Sequence, residues 1–174
     1  MTKFYFIRHG EADIKEYNSK IYKNRGQDMI TLSKKGIEQI NNTANDERLK
    51  KAQIIITSPF GRALHSAAIL SKRLGIDIAV ETDLHEWQPD SNYDFLSSED
   101  AMNSFIEFSK NSGIKSENSK YNWETIDSVK KRVDSVLNKY KKYDEVIVVC
   151  HGVVIKCYLG VDEINNGQIV EYNL

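Results

Sequence analysis

The sequence predicts an α/β fold, a three-layer α/β/α arrangement around a doubly wound, mostly parallel sheet. Three observations lead there. Short apolar runs recur at Lys3–Ile7, Gln53–Thr57 and Glu145–Cys150, and such runs between polar turns suit strands buried on both faces. Segments with helical apolar spacing separate them, and alternating strands and helices imply parallel pairing through crossovers. Two of the strands run directly into histidine-glycine turns, His9-Gly10 and His151-Gly152. In open α/β sheets ligands bind outside the carboxyl ends of the strands.

The first strand, Lys3–Ile7, stops at Arg8-His9-Gly10. Residues 12–30 show no period and hold Lys15, Lys20, Lys23 and Arg25 against Glu16, which reads as a long basic loop. Thr31-Leu32-Ser33 offers capping hydroxyls for a helix with Ile37, Ile40 and Ala44 on one face. Gln53–Thr57 is the second strand, rich in β-branched residues. Pro59 suits the first position of the next helix, which carries Ala63, Leu64, Ala67, Ala68 and Leu70 and ends at the glycine cap Gly75. Ala79–Glu81 is a short third strand leading to Asp83-Leu84-His85-Glu86.

Residues 88–124 are the least regular stretch, with one helix predicted near Ser98–Lys110. Tyr93, Phe95, Phe105, Phe108, Tyr121 and Trp123 make this stretch either a lid over the strand ends or ordinary core. Thr125 caps a helix with Val129, Val133, Val136, Leu137 and Tyr140 on one face. The strand Glu145–Cys150 follows, then an apolar helix at Val153–Leu159 and an edge strand at Ile169–Tyr172.

Composition bounds the function. The chain has 174 residues, 40% hydrophobic and 28% charged, as expected for one globular domain with a sizeable core. A net charge of -1 argues against nucleic acid or a membrane surface as partner. No apolar run approaches the roughly 18 residues of a spanning helix, and no secretory leader is visible. Cys150 and Cys157 form no CxxC pair, so the expected setting is a reducing cytoplasm without disulfides. Oligomeric state has no signature in the chain.

The chemistry follows from what the strand ends deliver. If the strands ending at His9 and His151 are central, their imidazoles share a pocket. Arg8 follows a strand and Arg62 lies in the first turn of a helix, whose N-terminus adds free N–H groups. Guanidinium groups match phosphate oxygens through forked donors. Phosphoryl transfer needs an in-line nucleophile, charge neutralisation and a proton for the leaving oxygen. His9 can attack through one ring nitrogen if the other donates to a fixed acceptor. Glu86, near the third strand end, can supply the proton. His85 and Asp83 are rival proton carriers. Glu11 caps or pairs locally near Arg8, or orients the pocket, and His65 is structural or solvated.

These residues resemble a known family. Ile7-Arg8-His9-Gly10-Glu11 resembles the signature of the histidine phosphatase superfamily, which includes the phosphoglycerate mutases. Asp28, Leu32-Ser33 and Gly36-Ile37-Glu38-Gln39 resemble a stretch of the family with aspartate, Leu-Thr and Gly-x-x-Gln, serine standing for threonine. Thr57–Ala63 is similar to its SP-x-x-RA segment, followed by Ser66 where threonine is more usual. Leu84-His85-Glu86 matches its L-x-E, and Val149–Gly152 its second histidine. The pieces occur in the family's order across nearly the whole chain.

The resemblance implies a phosphoglycerate mutase-like fold and a phosphohistidine intermediate at His9. It implies a phosphate pocket of Arg8, Arg62, His9 and His151, with Glu86 as acid and base. The expected substrate is a small phosphate monoester, with no cofactor and no metal; clustered carboxylates or His/Cys metal spacings are not seen. Many relatives continue L-x-E with glycine and a W-E-G segment, whereas this chain continues Glu86-Trp87-Gln88-Pro89-Asp90.

Three rival readings stand beside the phosphatase. A cysteine-dependent phosphatase needs an arginine after its cysteine, but none follows Cys150, and Lys156 stands in that position. A mutase would share His9 and exclude water from the phosphoenzyme; such relatives are generally longer, so 174 residues favour a phosphatase. A non-catalytic phosphate- or partner-binding module would be expected to lack the nucleophile or an arginine, and neither is missing. The basic stretch from Lys15 to Arg25 points to an anionic substrate group beyond the phosphate.

Overall fold

The first strand, β1 (Lys3–Arg8), sends alternate side chains to opposite faces of the sheet. Phe4 and Phe6 enter one apolar cluster, while Tyr5 and Ile7 enter the other. The computed structural model describes residues 1–15, 24–94 and 96–174. Its other strands are β2 (Ile54–Thr57), β3 (Ile78–Val80), β4 (Glu145–Cys150) and β5 (Ile169–Asn173). Their order is β3-β2-β4-β1-β5. The first four are mutually parallel, and β5 closes one edge antiparallel to β1.

Helices cover both faces. Against Tyr5, Ile7, Ile55, Ile147 and Val149 pack α1 (Lys34–Thr43) and α2 (Gly61–Leu74), through Ile40, Ala63, Ala67 and Leu70. Against Phe4, Phe6, Val146 and Val148 pack α4 (Ile126–Lys139) and α5 (Gly152–Leu159), through Val129, Val133, Val136, Leu137, Val154 and Ile155. Each large apolar side chain so buried contributes about 1.5–3 kcal/mol. The remaining helix, α3 (Ser98–Lys110), adds Phe108 to the second of these clusters. The predicted three-layer, mostly parallel architecture is the one observed.

Local chemistry explains the element ends. Ser33 caps α1 by accepting from the Gly36 amide at 3.1 Å, and Thr125 caps α4 by accepting from the Ser128 amide at 3.2 Å. Gly75 ends α2 in the left-handed region at φ 71°. Pro59, expected at the first helical position, instead precedes the helix, which starts at Gly61. The reason is local: the Phe60 amide donates to Ser58 Oγ at 3.2 Å, holding a turn before the helix begins. The strands otherwise differ from expectation by about one residue at their ends.

The aromatic side chains of the stretch 88–124 differ in burial. Phe108 and Trp123 are buried core, packed edge-on with ring centroids 5.5 Å apart. Tyr93 is 53% exposed and belongs to the rim of a cavity. Phe95 lies outside the described residues, as do residues 16–23 of the basic stretch.

The turn after β1 is locked onto α1. A Cβ on Gly10 would sit 2.4 Å from the Gly36 carbonyl oxygen, and one on Gly36 would sit 2.2 Å from the Glu11 carbonyl oxygen. Glu11, read as a local cap or pair or as an orienter of the pocket, uses its carboxylate to accept from Ser33 Oγ and Lys35 Nζ, each at 2.9 Å. Its amide donates to Gln39 Oε1 at 2.8 Å. The Gly-x-x-Gln stretch therefore grips the His9-Gly10-Glu11 turn from below. Gly36→Ala is expected to cost at least ~3 kcal/mol, because the obstructing atoms are backbone. Urea denaturation followed by circular dichroism measures it.

Candidate active site

The parallel register of β1 and β4 pairs Arg8 with Cys150. The next residue on each strand is a histidine, so His9 and His151 emerge side by side. Their ring centroids are 5.2 Å apart at 64°. On the far side of β4, β2 pairs Thr57 with Val149, which brings Ser58 beside His151. One end of the sheet thus collects residues distant in sequence.

His9 is held from several directions. Its amide donates to the Cys150 carbonyl at 3.1 Å, and its carbonyl accepts from Asn166 Nδ2 at 2.8 Å. The next amide, of Gly10, donates to Ser66 Oγ at 3.1 Å. Ring atom Nδ1 lies 2.7 Å from the Gly10 carbonyl oxygen. A carbonyl only accepts, so Nδ1 carries the proton and Nε2 presents a lone pair. Arg62 Nε donates to that lone pair at 3.2 Å. Burial, then the cations of Arg62 and Arg8, push the imidazole down to about 3, against the opposing Gly10 bond. His9 is consequently neutral at ordinary pH.

His151 is fully buried. Its Nε2 lies 2.7 Å from Ser58 Oγ, which also accepts from the Phe60 amide. Assigning the Ser58 proton to Nε2 satisfies both groups and places the remaining imidazole proton on Nδ1, which has no partner among the described residues. Burial and the neighbouring Arg62 hold His151 well below its ordinary value.

Two guanidinium groups flank the imidazoles. Arg8 donates from one terminal nitrogen to the Ile164 carbonyl at 2.7 Å, while its buried Nε has no partner among the described residues. A Cβ on Gly152 would lie 3.2 Å from that Nε, so the absence of a side chain there lets Arg8 pass over the start of α5. Arg62 lies over the Phe60 ring at 5.3 Å and donates to the Gln27 carbonyl at 3.2 Å. Burial lowers its affinity for its proton, opposed by Glu86 and Asp28.

Glu86 completes the group. Its Oε1 accepts from the Trp87 amide at 2.8 Å. Burial raises its carboxyl above the ordinary 4.5, against the amides of Trp87, Val153 and Val154 and the charge of Arg62. The carboxyl therefore sits at the N-terminus of α5, next to His151. All five residues singled out from the sequence, Arg8, His9, Arg62, Glu86 and His151, meet at one end of the sheet.

The description "Histidine phosphatase superfamily (branch 1)" fits residues 4–163. The chain belongs to that superfamily. Among curated proteins, none matches it. Solved structures share the fold at low identity. A mycobacterial glucosyl-3-phosphoglycerate phosphatase, solved with VO3, is 18% identical with a TM-score of 0.70, covering 98% of this chain and 90% of that one. The alpha-ribazole phosphatase of Shigella flexneri is 19% identical with a TM-score of 0.68, covering 99% and 91%. YhfR of Bacillus stearothermophilus is 20% identical with a TM-score of 0.69, covering 98% and 90%.

Within this histidine phosphatase fold, the other candidate residues are placed as follows. His85 is buried, with Nδ1 2.7 Å from the Glu86 carbonyl and Nε2 2.7 Å from the Tyr93 hydroxyl. Both ring nitrogens are occupied, which makes it a brace for Glu86. Asp83 lies in a 3-10 turn (Thr82–Leu84), its carbonyl accepting from Arg132 at 2.6 Å. His65 Nδ1 accepts from the Leu32 amide at 3.3 Å. Burial drives the Cys150 thiol far up, as it does Cys157, to about 11. Among the described residues no His/Cys/Asp/Glu group has the makings of a metal site, and no helix is long and apolar enough to cross a membrane.

Sequence reasoning missed Ser58 as the partner of His151, Asn166 as the clamp on His9, and the brace beneath Glu86. The His85 brace is itself held by Arg132, which bonds the His85 carbonyl at 2.9 Å and forms a buried pair with Glu124 at 2.7 and 3.0 Å. Ser58 could have been found as a hydroxyl at a strand's carboxyl end; Asn166 and Arg132 carry no local signal. Arg132→Ala strands a buried carboxylate and frees two carbonyls, and is expected to cost about 3–5 kcal/mol. For a domain of this size that lowers the melting temperature by roughly 10 °C, measurable by calorimetry.

Proposed function

We propose that this protein is a phosphatase that hydrolyses small phosphate monoesters through a phosphohistidine at His9. The observation that carries the reading is the His9 ring: its Nδ1 proton is committed to the Gly10 carbonyl at 2.7 Å, and its Nε2 lone pair is held beside Arg62 at 3.2 Å. An imidazole so buried and so close to cations is unprotonated, and an unprotonated nitrogen is what attack on phosphorus requires.

In the proposed reaction the phosphoryl oxygens lie among Arg8, Arg62 and the Nδ1–H of His151. Nε2 of His9 attacks phosphorus as the P–O bond to the alcohol breaks, and Glu86 gives its proton to the departing alkoxide. Glu86, now a carboxylate, takes a proton from water. The hydroxide attacks phosphorus, the P–N bond breaks, and inorganic phosphate leaves with His9 neutral again. The raised proton affinity of Glu86, caused by its burial, supports its role as the acid of the first step. Charge neutralisation by Arg8 and Arg62 is the main electrostatic contribution.

Residues 1–174 are read as a single histidine phosphatase domain in which 88–124 forms an insertion over the site. Gln88, Tyr93, Asp94 and Leu96 lining the cavity beside Glu86 support that reading. No step uses a metal or cofactor. The buried free cysteines suit a reducing cytoplasm.

A screen of phosphate monoesters, read as released phosphate, tests the proposal. Phosphate is expected from at least one simple ester, with equal rates before and after chelator and inhibition by vanadate, which mimics the five-coordinate phosphorus. Loss of activity on chelation would contradict the metal-free scheme. Transfer to a second phosphoglycerate with no net phosphate would identify a mutase, and phosphate binding without turnover a binding module.

A further inference from the structure

The turn that carries Glu86 is tied on both flanks to two residues from outside it, Glu124 just before α4 and Arg132 on α4. On the first flank, Arg132 Nη1 donates to the carbonyls of Asp83 and His85 at 2.6 and 2.9 Å. On the second, the Gln88 amide donates to Glu124 Oε2 at 3.3 Å, and the Gln88 carbonyl accepts from the Glu124 amide at 2.9 Å. Between them the Trp87 indole donates to the Glu124 carbonyl at 2.7 Å. Trp87 also supplies the amide that bonds Glu86 Oε1 at 2.8 Å. The residue anchored on Glu124 is therefore the one that orients the acid.

Glu124 and Arg132 hold each other in a fork: Oε1 accepts from Nε at 2.7 Å and Oε2 from Nη2 at 3.0 Å. Their side chains are only 6% and 10% exposed. Stability alone is a poor reason for such a pair, since apolar side chains of similar volume often pack as well in its place. Apolar side chains, however, could make none of the three side-chain bonds to the backbone of Asp83, His85 and Gln88. A general acid must come within about 2.6–3.2 Å of the oxygen it protonates, and a misplacement of about 1 Å can cost on the order of 100-fold. We propose that Glu124 and Arg132 are positioning residues for Glu86, setting its carboxyl at the leaving-group oxygen, so that disturbing the pair slows the first chemical step only where that oxygen needs a proton. The inference rests on the reading of Glu86 as the acid.

The test uses Glu124→Gln and Arg132→Lys. The glutamine amide turns a donor toward Arg132 or the Gln88 amide, and lysine keeps the charge but loses the fork. Each variant is mixed in single turnovers with an alkyl phosphate and with p-nitrophenyl phosphate, and the ratio of alcohol release to nitrophenolate release is read. An unfolded fraction lowers both rates alike, so the ratio does not depend on how much protein is folded. Both variants are expected to lower that ratio at least about tenfold. In a Glu86→Gln background, Glu124→Gln is expected to lower it no further, because two residues acting through one carboxyl are not additive. A wild-type ratio in both variants, or a further drop in the double variant, would overturn the inference and leave the pair a purely structural one. If Glu86→Gln alone lowers the ratio and neither Glu124→Gln nor Arg132→Lys does, this inference falls by itself. A wild-type ratio in Glu86→Gln sinks the acid and the inference together.

Discussion

His9→Ala is expected to cut phosphate release by a factor on the order of 10⁴ or more while leaving a protein that still binds inorganic phosphate. The two halves of that expectation have different physical sources. Turnover needs the Nε2 lone pair, and none of the neighbouring groups can replace it: His85 has both nitrogens engaged, and His151 keeps Nε2 against Ser58. In the proposed scheme binding rests on Arg8, Arg62 and His151, which the substitution leaves in place. Arg62 loses a neutral acceptor, so its guanidinium becomes freer to meet the anion. Rapid acid-free quenching of the wild type with a radiolabelled monoester should trap label on the protein in an acid-labile, base-stable bond, as expected of phosphohistidine, and the variant should trap none. Undiminished turnover by His9→Ala would remove the nucleophile from the proposal, and loss of phosphate binding alongside turnover would point to misfolding instead.

The residues that could be read from sequence are those whose local pattern carries the information. Strands β1 and β4 stand out because parallel strands buried on both faces are apolar almost without interruption, and the clusters around Phe4 and Ile7 show both faces filled. His9 and His151 could be placed at strand ends from that pattern alone. Their juxtaposition could not, since it depends on the Arg8–Cys150 register across residues far apart in the chain. Gly10 was legible as a turn residue and Gly36 as a residue inside a helix; that the two abut each other is a tertiary fact, visible as the absence of room for a Cβ.

The wall of the site was the least legible part. Residues 88–124 carry aromatic side chains without a period, and burial decides their roles one at a time: Trp123 has no exposure, whereas Tyr93 has 53%. Composition offered a basic stretch and hence an anionic substrate group. Residues 16–23 of that stretch lie outside the described residues, and in the described lining Asp28 and Asp94 reach the cavity from different segments. Net charge averages over a surface, while selectivity depends on the few groups that share an enclosed volume.

Glu86→Gln is expected to slow phosphoenzyme formation from alkyl phosphates, read as alcohol released in a single turnover, by about 10²- to 10⁴-fold and to leave the single-turnover release of nitrophenolate nearly unaffected. An alkoxide is too basic to leave without a proton, whereas nitrophenolate leaves unaided, so only the first class needs the acid. The glutamine amide keeps the shape of the carboxyl and an oxygen for the Trp87 amide, which separates proton donation from packing. The pH dependence carries the same signature. Glu86 must hold its proton when the substrate arrives, and burial raises its value above 4.5, so kcat/KM for alkyl esters falls as pH climbs past that raised value. His9 must be neutral, and its depression to about 3 keeps it so throughout that range, placing its limb at the acid extreme. A bound phosphate dianion favours protonated Glu86 further, so the alkaline limb of kcat should lie at higher pH than that of kcat/KM. In the glutamine variant this limb should vanish, leaving only the substrate's own ionisation near about pH 6. A variant that slows both ester classes equally and keeps the limb would mean that another group supplies the proton and that Glu86 merely shapes the start of α5.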